Sequence, residues 1–263
     1  MPSLSRPGAV INFDTHITAN TTPNGWITFI NGHTRSSSDF RLMGKRLTEA
    51  GYNVLTLDNR GSGQTTTDRS FTIEDMASDV IALWDHLAIA TSNLVGISMG
   101  GMIAVALAAR QPQQLSKLAL VSTAMEKQYL ISRGLAWGQT LESVQTKLAT
   151  YFASSFPARN PLLLQSMAKQ VLKAIESGGF NQKSEAQRQA MGAFQGTGLL
   201  GKIQCETLII HGAEDQVIDI NGVHAMKRGI KNSRIAIIEG AGHLLLAEAS
   251  ERMLQELKDF FTH

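Results

Sequence analysis

The chain has 263 residues, 43% of them hydrophobic and 17% charged, which is the composition of a globular protein with a sizeable core. Its 24 basic and 22 acidic residues give a net charge of +2 with no basic run, so neither nucleic-acid binding nor attachment to anionic membranes is indicated. The single cysteine, Cys205, cannot form an internal disulfide, and no Cys/His cluster has zinc spacing.

The N-terminal segment lacks the apolar run that a signal peptide needs. Nowhere does an apolar run reach the roughly eighteen residues of a membrane span. We therefore expect no membrane partner, and the lone cysteine suits the cytoplasm as the location.

In chain order, short apolar runs alternate with helical patterns. A weak run at residues 10–13 precedes the near-continuous runs at residues 25–31, 52–58, 92–97, 116–122, 206–212 and 233–240. Such runs are typical of parallel strands that helices cover on both faces of the sheet.

Helical patterns occupy residues 39–50, 72–89, 99–110 and 247–261. The first ends at Gly51, the second opens with Thr72 and Asp75 at capping-box spacing, and the third stops before Pro112. This alternation predicts an α/β fold with a mostly parallel sheet, helices on both faces and right-handed crossovers.

One interval breaks the alternation, because about 85 residues separate Val121 from Thr207 where a crossover needs roughly a dozen. Its pattern is helical and is interrupted at Pro157, Pro161 and residues 178–179. We expect a helical cap over residues 123–197 and a core domain formed by residues 1–122 and 198–263. A second independent domain is the alternative, but the interval is short for one and lacks strands.

Between a predicted strand and a predicted helix lies Gly96-Ile97-Ser98-Met99-Gly100, which fits the pattern G-x-S-x-G. Glycines make room for a tight turn that exposes the serine, and the helix that follows directs its N–H groups toward a developing oxyanion. The alternative is an ordinary glycine-rich turn. In this context we interpret Ser98 as a nucleophile.

A serine nucleophile needs a base and an orienting acid. His243 is the preferred base, because it lies in a glycine-flanked loop directly after the last predicted strand. Asp215 follows the preceding strand and is the preferred acid. Asp219 is the fallback, although it could simply cap a helix that begins near residue 221, and Glu214 would point away from Asp215.

The order Ser98, Asp215, His243 is that of a nucleophile-elbow architecture. With it, the sequence resembles the α/β-hydrolase superfamily over nearly its whole length, through "FINGHTRSSSDF", "LDNRGSGQT", "GISMGGMIAVALAARQP", "LIIHGAEDQVI" and "GAGHLLLAE". Within that superfamily it looks most like small bacterial esterases and lactonases of the enol-lactonase-like, haloperoxidase-like and carboxylesterase groups.

The resemblance implies an eight-stranded, mostly parallel sheet with a cap inserted after strand six. It also implies an oxyanion hole made by the backbone N–H groups of Met99 and His33. Asn31 stands where the family usually has histidine, which leaves open how that loop is hydrogen-bonded. The Asp58–Arg60 segment resembles a family turn, for which we favour a structural role over a substrate clamp.

These features predict a serine hydrolase that cleaves a carboxylic ester of a small, apolar substrate through an acyl-enzyme, without a metal or other cofactor. A lactonase or a carbon–carbon bond hydrolase would use the same triad, and a ligand receptor built on a hydrolase fold is a further alternative. Three side chains of the cap region are candidates for substrate binding: Met125, Tyr129 and Trp137. The sequence does not indicate an oligomeric state.

Overall fold

A computed structural model describes residues 1–131 and 137–262, and residues 132–136 of the predicted cap lie outside the described part. The chain forms one sheet whose strands are β1 (Ser3–Arg6), β2 (Ala9–His16), β3 (Trp26–Ile30), β4 (Asn53–Leu57), β5 (Thr66–Thr67), β6 (Ser92–Ile97), β7 (Leu115–Val121), β8 (Glu206–Gly212) and β9 (Ser233–Ile238).

Helices surround this sheet. They are α1 (Arg41–Glu49), α2 (Ile73–His86), α3 (Met99–Arg110), α4 (Leu141–Ala149), α5 (Phe156–Arg159), α6 (Pro161–Glu176), α7 (Phe180–Ala193), α8 (Ile220–Gly229), α9 (Leu245–Glu248) and α10 (Ser250–Thr262). In the described part of the chain, no helix combines the length and the apolar character needed to cross a bilayer.

The strand order is β1-β2-β4-β3-β6-β7-β8-β9, with β5 paired to β2. All pairs from β4 to β9 are parallel, whereas β1 and β2 run antiparallel at one edge. This is the predicted mostly parallel sheet with eight strands along its main path, and the prediction is confirmed. The sequence did not reveal β1 and β5, because both are short and only partly buried.

Both faces of the sheet are buried, as the continuous apolar runs require. Along β6, Leu94 joins the core beneath α2 and α3, while Val95 joins the core beneath α1 and α10. Successive strand residues point to opposite faces, so a strand buried on both sides cannot alternate with polar residues.

The predicted boundaries of the helices hold with small shifts. Thr72 and Asp75 form the expected capping box of α2, and α3 has the expected bounds. The first predicted helix splits into a 3₁₀ turn at Ser37–Phe40 and α1, and the last one divides into α9 and α10.

The interval between β7 and β8 holds α4 to α7, and its breaks lie where the prolines and glycines predict them. Pro161 begins α6, and residues 178–179 separate α6 from α7, where Gly179 has a φ of 74°. The interval is not uniform in its packing. Helices α4 to α6 share a small apolar cluster of their own, whereas Ala190 of α7 belongs to the main core.

Candidate active site

Ser98 occupies a strained turn at the end of β6, with φ 53° and ψ −118°. A side chain other than glycine at positive φ costs on the order of 1–3 kcal/mol and has to be held by its surroundings. Here the Ser98 N–H donates to the Val121 carbonyl at 2.9 Å, and the Thr123 hydroxyl donates to the Ser98 carbonyl at 2.7 Å. These two hydrogen bonds hold Ser98 in the strained turn.

The glycines of the G-x-S-x-G pattern are needed for space. A Cβ on Gly96 would collide with the Gly100 carbonyl in the first turn of α3, and a Cβ on Gly100 would collide with the Ile30 carbonyl at the end of β3. Strand β6, the turn at Ser98 and helix α3 therefore pack closely, without side chains at these two glycine positions. This close packing fixes the helix N-terminus directly behind Ser98.

His243 reaches Ser98 from the loop that follows β9. Its Nε2 atom lies 3.1 Å from Ser98 Oγ, the correct distance for accepting a hydrogen bond from the hydroxyl. The loop is fixed against the interval between β7 and β8, because the His243 N–H donates to the Tyr151 carbonyl at 2.9 Å. A Cβ on Gly242 would approach the Ala153 nitrogen to 2.5 Å, so only glycine allows this contact.

Asp215 completes the chain of hydrogen bonds on the other side of the imidazole. His243 Nδ1 lies 2.9 Å from Asp215 Oδ2, and Asp215 Oδ1 accepts the N–H groups of Val217 at 2.8 Å and Ile218 at 2.9 Å. Burial alone would raise the pKa of the Asp215 carboxyl group. The adjacent His243 and these hydrogen bonds outweigh burial, and the pKa lies below its usual range.

The other acids near Asp215 have different partners. Asp219 caps α8 by accepting the Asn221 N–H at 2.8 Å, and Glu214 accepts the N–H and hydroxyl of Ser154 at 3.0 and 2.9 Å. The structure therefore brings Asp215, and neither alternative, to His243. A second histidine, His211, lies beneath the carboxylate with its Nδ1 3.7 Å from Asp215 Oδ2.

The loop after β3 passes beside the nucleophile, since a Cβ on Gly32 would lie 3.2 Å from Ser98 Cβ. Met99 is the first residue of α3, so its N–H has no acceptor one turn earlier. In the described part of the chain the His33 N–H also has no acceptor. These are the two donors that the family resemblance implies for an oxyanion hole.

Asn31, the departure from the family pattern, stabilises this loop. Its Nδ2 donates to the Ser36 carbonyl and to the Asp39 carboxylate, each at 2.8 Å, and its Oδ1 accepts the Gly32 N–H at 2.8 Å. The His33 side chain points to α7, where its Nε2 donates to the Ser184 carbonyl at 2.9 Å. Burial lowers the pKa of His33.

A cavity of about 1440 Å³ opens above Ser98, between the sheet and the interval that holds α4 to α7. Trp137 lines it as predicted, but the prediction for Met125 and Tyr129 needs correction. Met125 is 2% exposed and belongs to the main core. Tyr129 packs against α8, where a Cβ on Gly222 would lie 3.0 Å from the Tyr129 Cβ.

Sequence reasoning missed the basic side chains of the inserted helices that line this cavity. The Lys147 Nζ lies 4.3 Å from the centre of the Trp137 ring, and Arg188 forms an ion pair with Glu185. Burial, together with the nearby Arg188, lowers the pKa of Lys147 to about 8. These residues belong to no motif, and only the folding of α4 and α7 over the sheet brings them together.

The segment that resembles a family turn lies outside the cavity lining. Asp58 accepts the N–H groups of Ser37 and Gln64, both at 2.8 Å. Arg60 forms a buried bidentate ion pair with Asp79, at 2.7 and 2.9 Å. Both side chains therefore serve the structural role that the sequence favours.

Comparisons with known proteins agree with this architecture. A hydrolase family model described as "Serine aminopeptidase, S33" matches residues 21–250. The 3-oxoadipate enol-lactonase 1 of Acinetobacter baylyi is 27% identical over 80% of this chain and 78% of its own length. The 2-hydroxymuconate semialdehyde hydrolase of a Pseudomonas strain is 27% identical over 76% of this chain and 72% of its own length.

The same fold occurs in solved structures. The enol-lactonase from Burkholderia xenovorans superposes over 100% of both chains with a TM-score of 0.85 at 24% identity, a level that bears on the fold alone.

Proposed function

Because the chain belongs to the α/β-hydrolase superfamily, we propose that it is a serine hydrolase that cleaves a carboxylic ester through an acyl-enzyme. The observation that carries the proposal is the continuous set of hydrogen bonds from Ser98 Oγ through the His243 ring to Asp215, at 3.1 and 2.9 Å. A serine, a histidine and a buried carboxylate in this arrangement supply a nucleophile, a general base and an orienting group.

In the proposed reaction, Ser98 Oγ attacks the ester carbonyl carbon while His243 Nε2 takes the hydroxyl proton. The N–H groups of Met99 and His33 bind the oxyanion of the tetrahedral intermediate. The intermediate collapses, His243 returns the proton to the leaving alcohol, and an acyl-Ser98 ester remains. A water molecule that gives its proton to His243 then attacks this ester, which releases the acid and restores the Ser98 hydroxyl.

Asp215 holds the imidazole in the tautomer with the proton on Nδ1, which leaves Nε2 free to accept from Ser98. Its carboxylate also stabilises the imidazolium that forms during each proton transfer. The depressed pKa of Asp215 keeps it ionised over the whole neutral range. No step of this sequence requires a metal or an organic cofactor.

The cavity supports a small and largely apolar substrate. Apolar side chains from α3 and from the inserted helices line it, among them Met99, Met102, Leu148, Met167 and Val171. Pockets of this kind bury small organic ligands and use a few polar groups to orient them.

A lactonase and a carbon–carbon bond hydrolase remain the alternatives, since relatives with both kinds of name share about a quarter of the sequence. An aminopeptidase, the activity in the description of the family model, would need a carboxylate that faces the substrate amine. Glu185 lines the cavity, but its carboxylate forms an ion pair with Arg188. An aminopeptidase activity is therefore less well supported.

The test is Ser98→Ala against the matched control Ser166→Ala, whose serine is exposed on α6 outside the cavity. A fluorophosphonate probe should label the wild type and the control at one site, and it should not label Ser98→Ala. Turnover of short p-nitrophenyl esters should fall by at least ~10³-fold in Ser98→Ala alone. Undiminished ester turnover by folded Ser98→Ala would overturn the proposal.

A substrate panel then separates the alternatives. Linear esters of increasing acyl length, five- and six-membered lactones and a ring-cleavage diketone are compared by kcat/KM. The proposal expects the linear esters to be the best substrates. Saturable binding of these compounds without turnover would instead identify a ligand receptor.

A further inference from the structure

Gln187 of α7 is completely buried, and its amide group bonds to two loops of the main sheet. Its Oε1 accepts the Thr34 N–H at 2.7 Å, while its Nε2 donates to the Arg60 carbonyl at 2.7 Å and to Ser62 Oγ at 2.8 Å. Burying an amide is costly unless hydrogen bonds replace those to water, so these three bonds hold α7 in one position.

Glycine at position 61 makes this close approach feasible. Gly61 has a φ of 79°, and a Cβ there would lie 3.2 Å from both Gln187 Cγ and the Lys183 carbonyl. Ala190 attaches the next turn of α7 to the main core. Helix α7 is therefore packed as part of the core, unlike α4 to α6, which share their own apolar cluster.

Thr34, whose N–H donates to Gln187, has a strained backbone conformation. Thr34 has a φ of 61°, a conformation that is a genuine outlier for a β-branched side chain. Its hydroxyl donates to the His33 carbonyl at 2.7 Å, and the Arg35 N–H closes the turn on the Gly32 carbonyl at 3.2 Å. Such strain persists only where neighbouring groups impose it.

The geometry of this turn determines where the His33 N–H points. The Gly32 carbonyl and the His33 N–H belong to one planar peptide group, so the turn that fixes the first also fixes the second. A release of Thr34 to negative φ would rotate that peptide group and move the N–H away from the space beside Ser98.

We infer that Gln187 is a positioning residue, which holds the strained turn at Thr34 so that the His33 N–H is aimed at the oxyanion. This inference rests on the proposed function. Through Gln187, helix α7 then contributes to transition-state stabilisation, although the helix lies in the inserted interval.

The test compares Gln187→Met with Gln182→Met, whose glutamine is exposed on the same helix and lies outside the cavity. Active sites are titrated with a fluorophosphonate at its end point, so that kcat refers to labelled protein only. We expect Gln187→Met to lower kcat by roughly 10- to 100-fold, with KM changed by less than about threefold, because the lost group acts on the transition state. Gln182→Met should match the wild type.

A second pair of variants tests the strain itself. Glycine adopts positive φ without cost, so Thr34→Gly should keep the turn in place without help from Gln187. The loss caused by Gln187→Met should therefore be several-fold smaller in the Thr34→Gly background. Hydrogen exchange supplies a readout independent of activity, since the Thr34 amide should exchange faster in Gln187→Met and should not change in Gln182→Met.

If Gln187→Met does not fold, Gln187→Asn is used, whose shorter side chain cannot span both loops. Unchanged kcat per labelled site, or an equal loss in both Thr34 backgrounds, would overturn the inference. A wild type that is neither labelled nor active would overturn the proposed function and this inference together. An active wild type beside an equally active Gln187→Met would overturn the inference alone.

Discussion

His243 Nδ1 lies 2.9 Å from Asp215 Oδ2, and this contact joins two loops that follow adjacent strands of the sheet, β8 and β9. Because β8 and β9 are parallel, both loops emerge at the same edge, where the turn after β6 also presents Ser98. Residues 145 and 28 positions apart are thus brought into one hydrogen-bonded row. The topology of the sheet thus brings together three residues that each follow a strand.

The proposed role of Asp215 as the orienting acid leads to the first prediction. Asp215→Asn preserves the shape of the side chain but stabilises the wrong tautomer of His243, so kcat should fall by about 10⁴-fold. Asp219→Asn is the matched control, because asparagine caps a helix as well as aspartate does. Initial rates on the best ester, with circular dichroism as a check of folding, measure the effect. Equal activity of the two variants would show that Asp215 does not orient His243.

The close packing of the elbow leads to the second prediction. Gly96→Ala places a methyl group against the Gly100 carbonyl, which can move only if α3 shifts. We expect a loss of several kcal/mol in the free energy of unfolding, as for other overpacked core positions. Gly198→Ala is the control, since a Cβ there meets nothing within 4 Å. Urea denaturation measures the free energy of unfolding of both variants. A Gly96→Ala protein as stable as Gly198→Ala would contradict the prediction.

The main features of the sheet and the row of Ser98, Asp215 and His243 could be expected from sequence, because each depends on a local pattern. Apolar runs mark the buried strands, and glycines mark the turns that have no room for a side chain. Gln187 could not be found in this way. Its environment is created by two loops more than 120 positions earlier in the chain, and nothing in the sequence around it distinguishes it from the exposed Gln182.

Errors in the expected cavity lining have the same origin. Met125 and Tyr129 lie near the start of the interval, where an apolar or aromatic side chain is as consistent with the core as with the lining of an apolar pocket. Met125 instead packs into the main core, and Tyr129 packs against Gly222 of α8. Side chains farther along the chain, such as Tyr151 and Lys147, line the cavity in their place.

The buried histidine His211 leads to the third prediction. Burial lowers its pKa below the ordinary value of 6.5, although the nearby Asp215 opposes this shift. In the unfolded chain His211 takes up a proton at a higher pH than in the folded protein. The free energy of unfolding should therefore decrease as the pH falls through 6.5 toward the lower pKa of the folded state.

Burial also lowers the pKa of His33, so His33 likewise reduces the free energy of unfolding as the pH falls. His211→Gln should reduce the loss of stability between pH 7 and pH 5 but not abolish it, since His33 remains. Chemical denaturation of the wild type and His211→Gln at pH 7 and pH 5 measures how much free energy of unfolding each protein loses between these values. A variant whose pH dependence equals that of the wild type would show that His211 titrates normally in the folded protein.

The lowered pKa of Lys147 leads to the fourth prediction, which has a different pH window. Its folded-state pKa of about 8 lies below the ordinary 10.5, so between these values the unfolded chain binds more protons than the folded protein. The contribution of Lys147 to the free energy of unfolding should therefore rise with pH from about 8 to about 10.5 and be constant below that window. Lys147→Met lacks this contribution. Because the amine is only about half buried, we expect the change in the free energy of unfolding across this pH window to be modest.

The measurement compares the wild type with Lys147→Met by urea denaturation at pH 7, 9 and 10.5. Methionine keeps most of the apolar contact of the lysine stem with Trp137, so the variants differ chiefly in the titrating group. Lys169→Met, on the exposed face of α6, is the control for the loss of a lysine charge. If the stability difference between the wild type and Lys147→Met does not shift in favour of the wild type above pH 8, burial and Arg188 do not disfavour the charged amine in the folded protein.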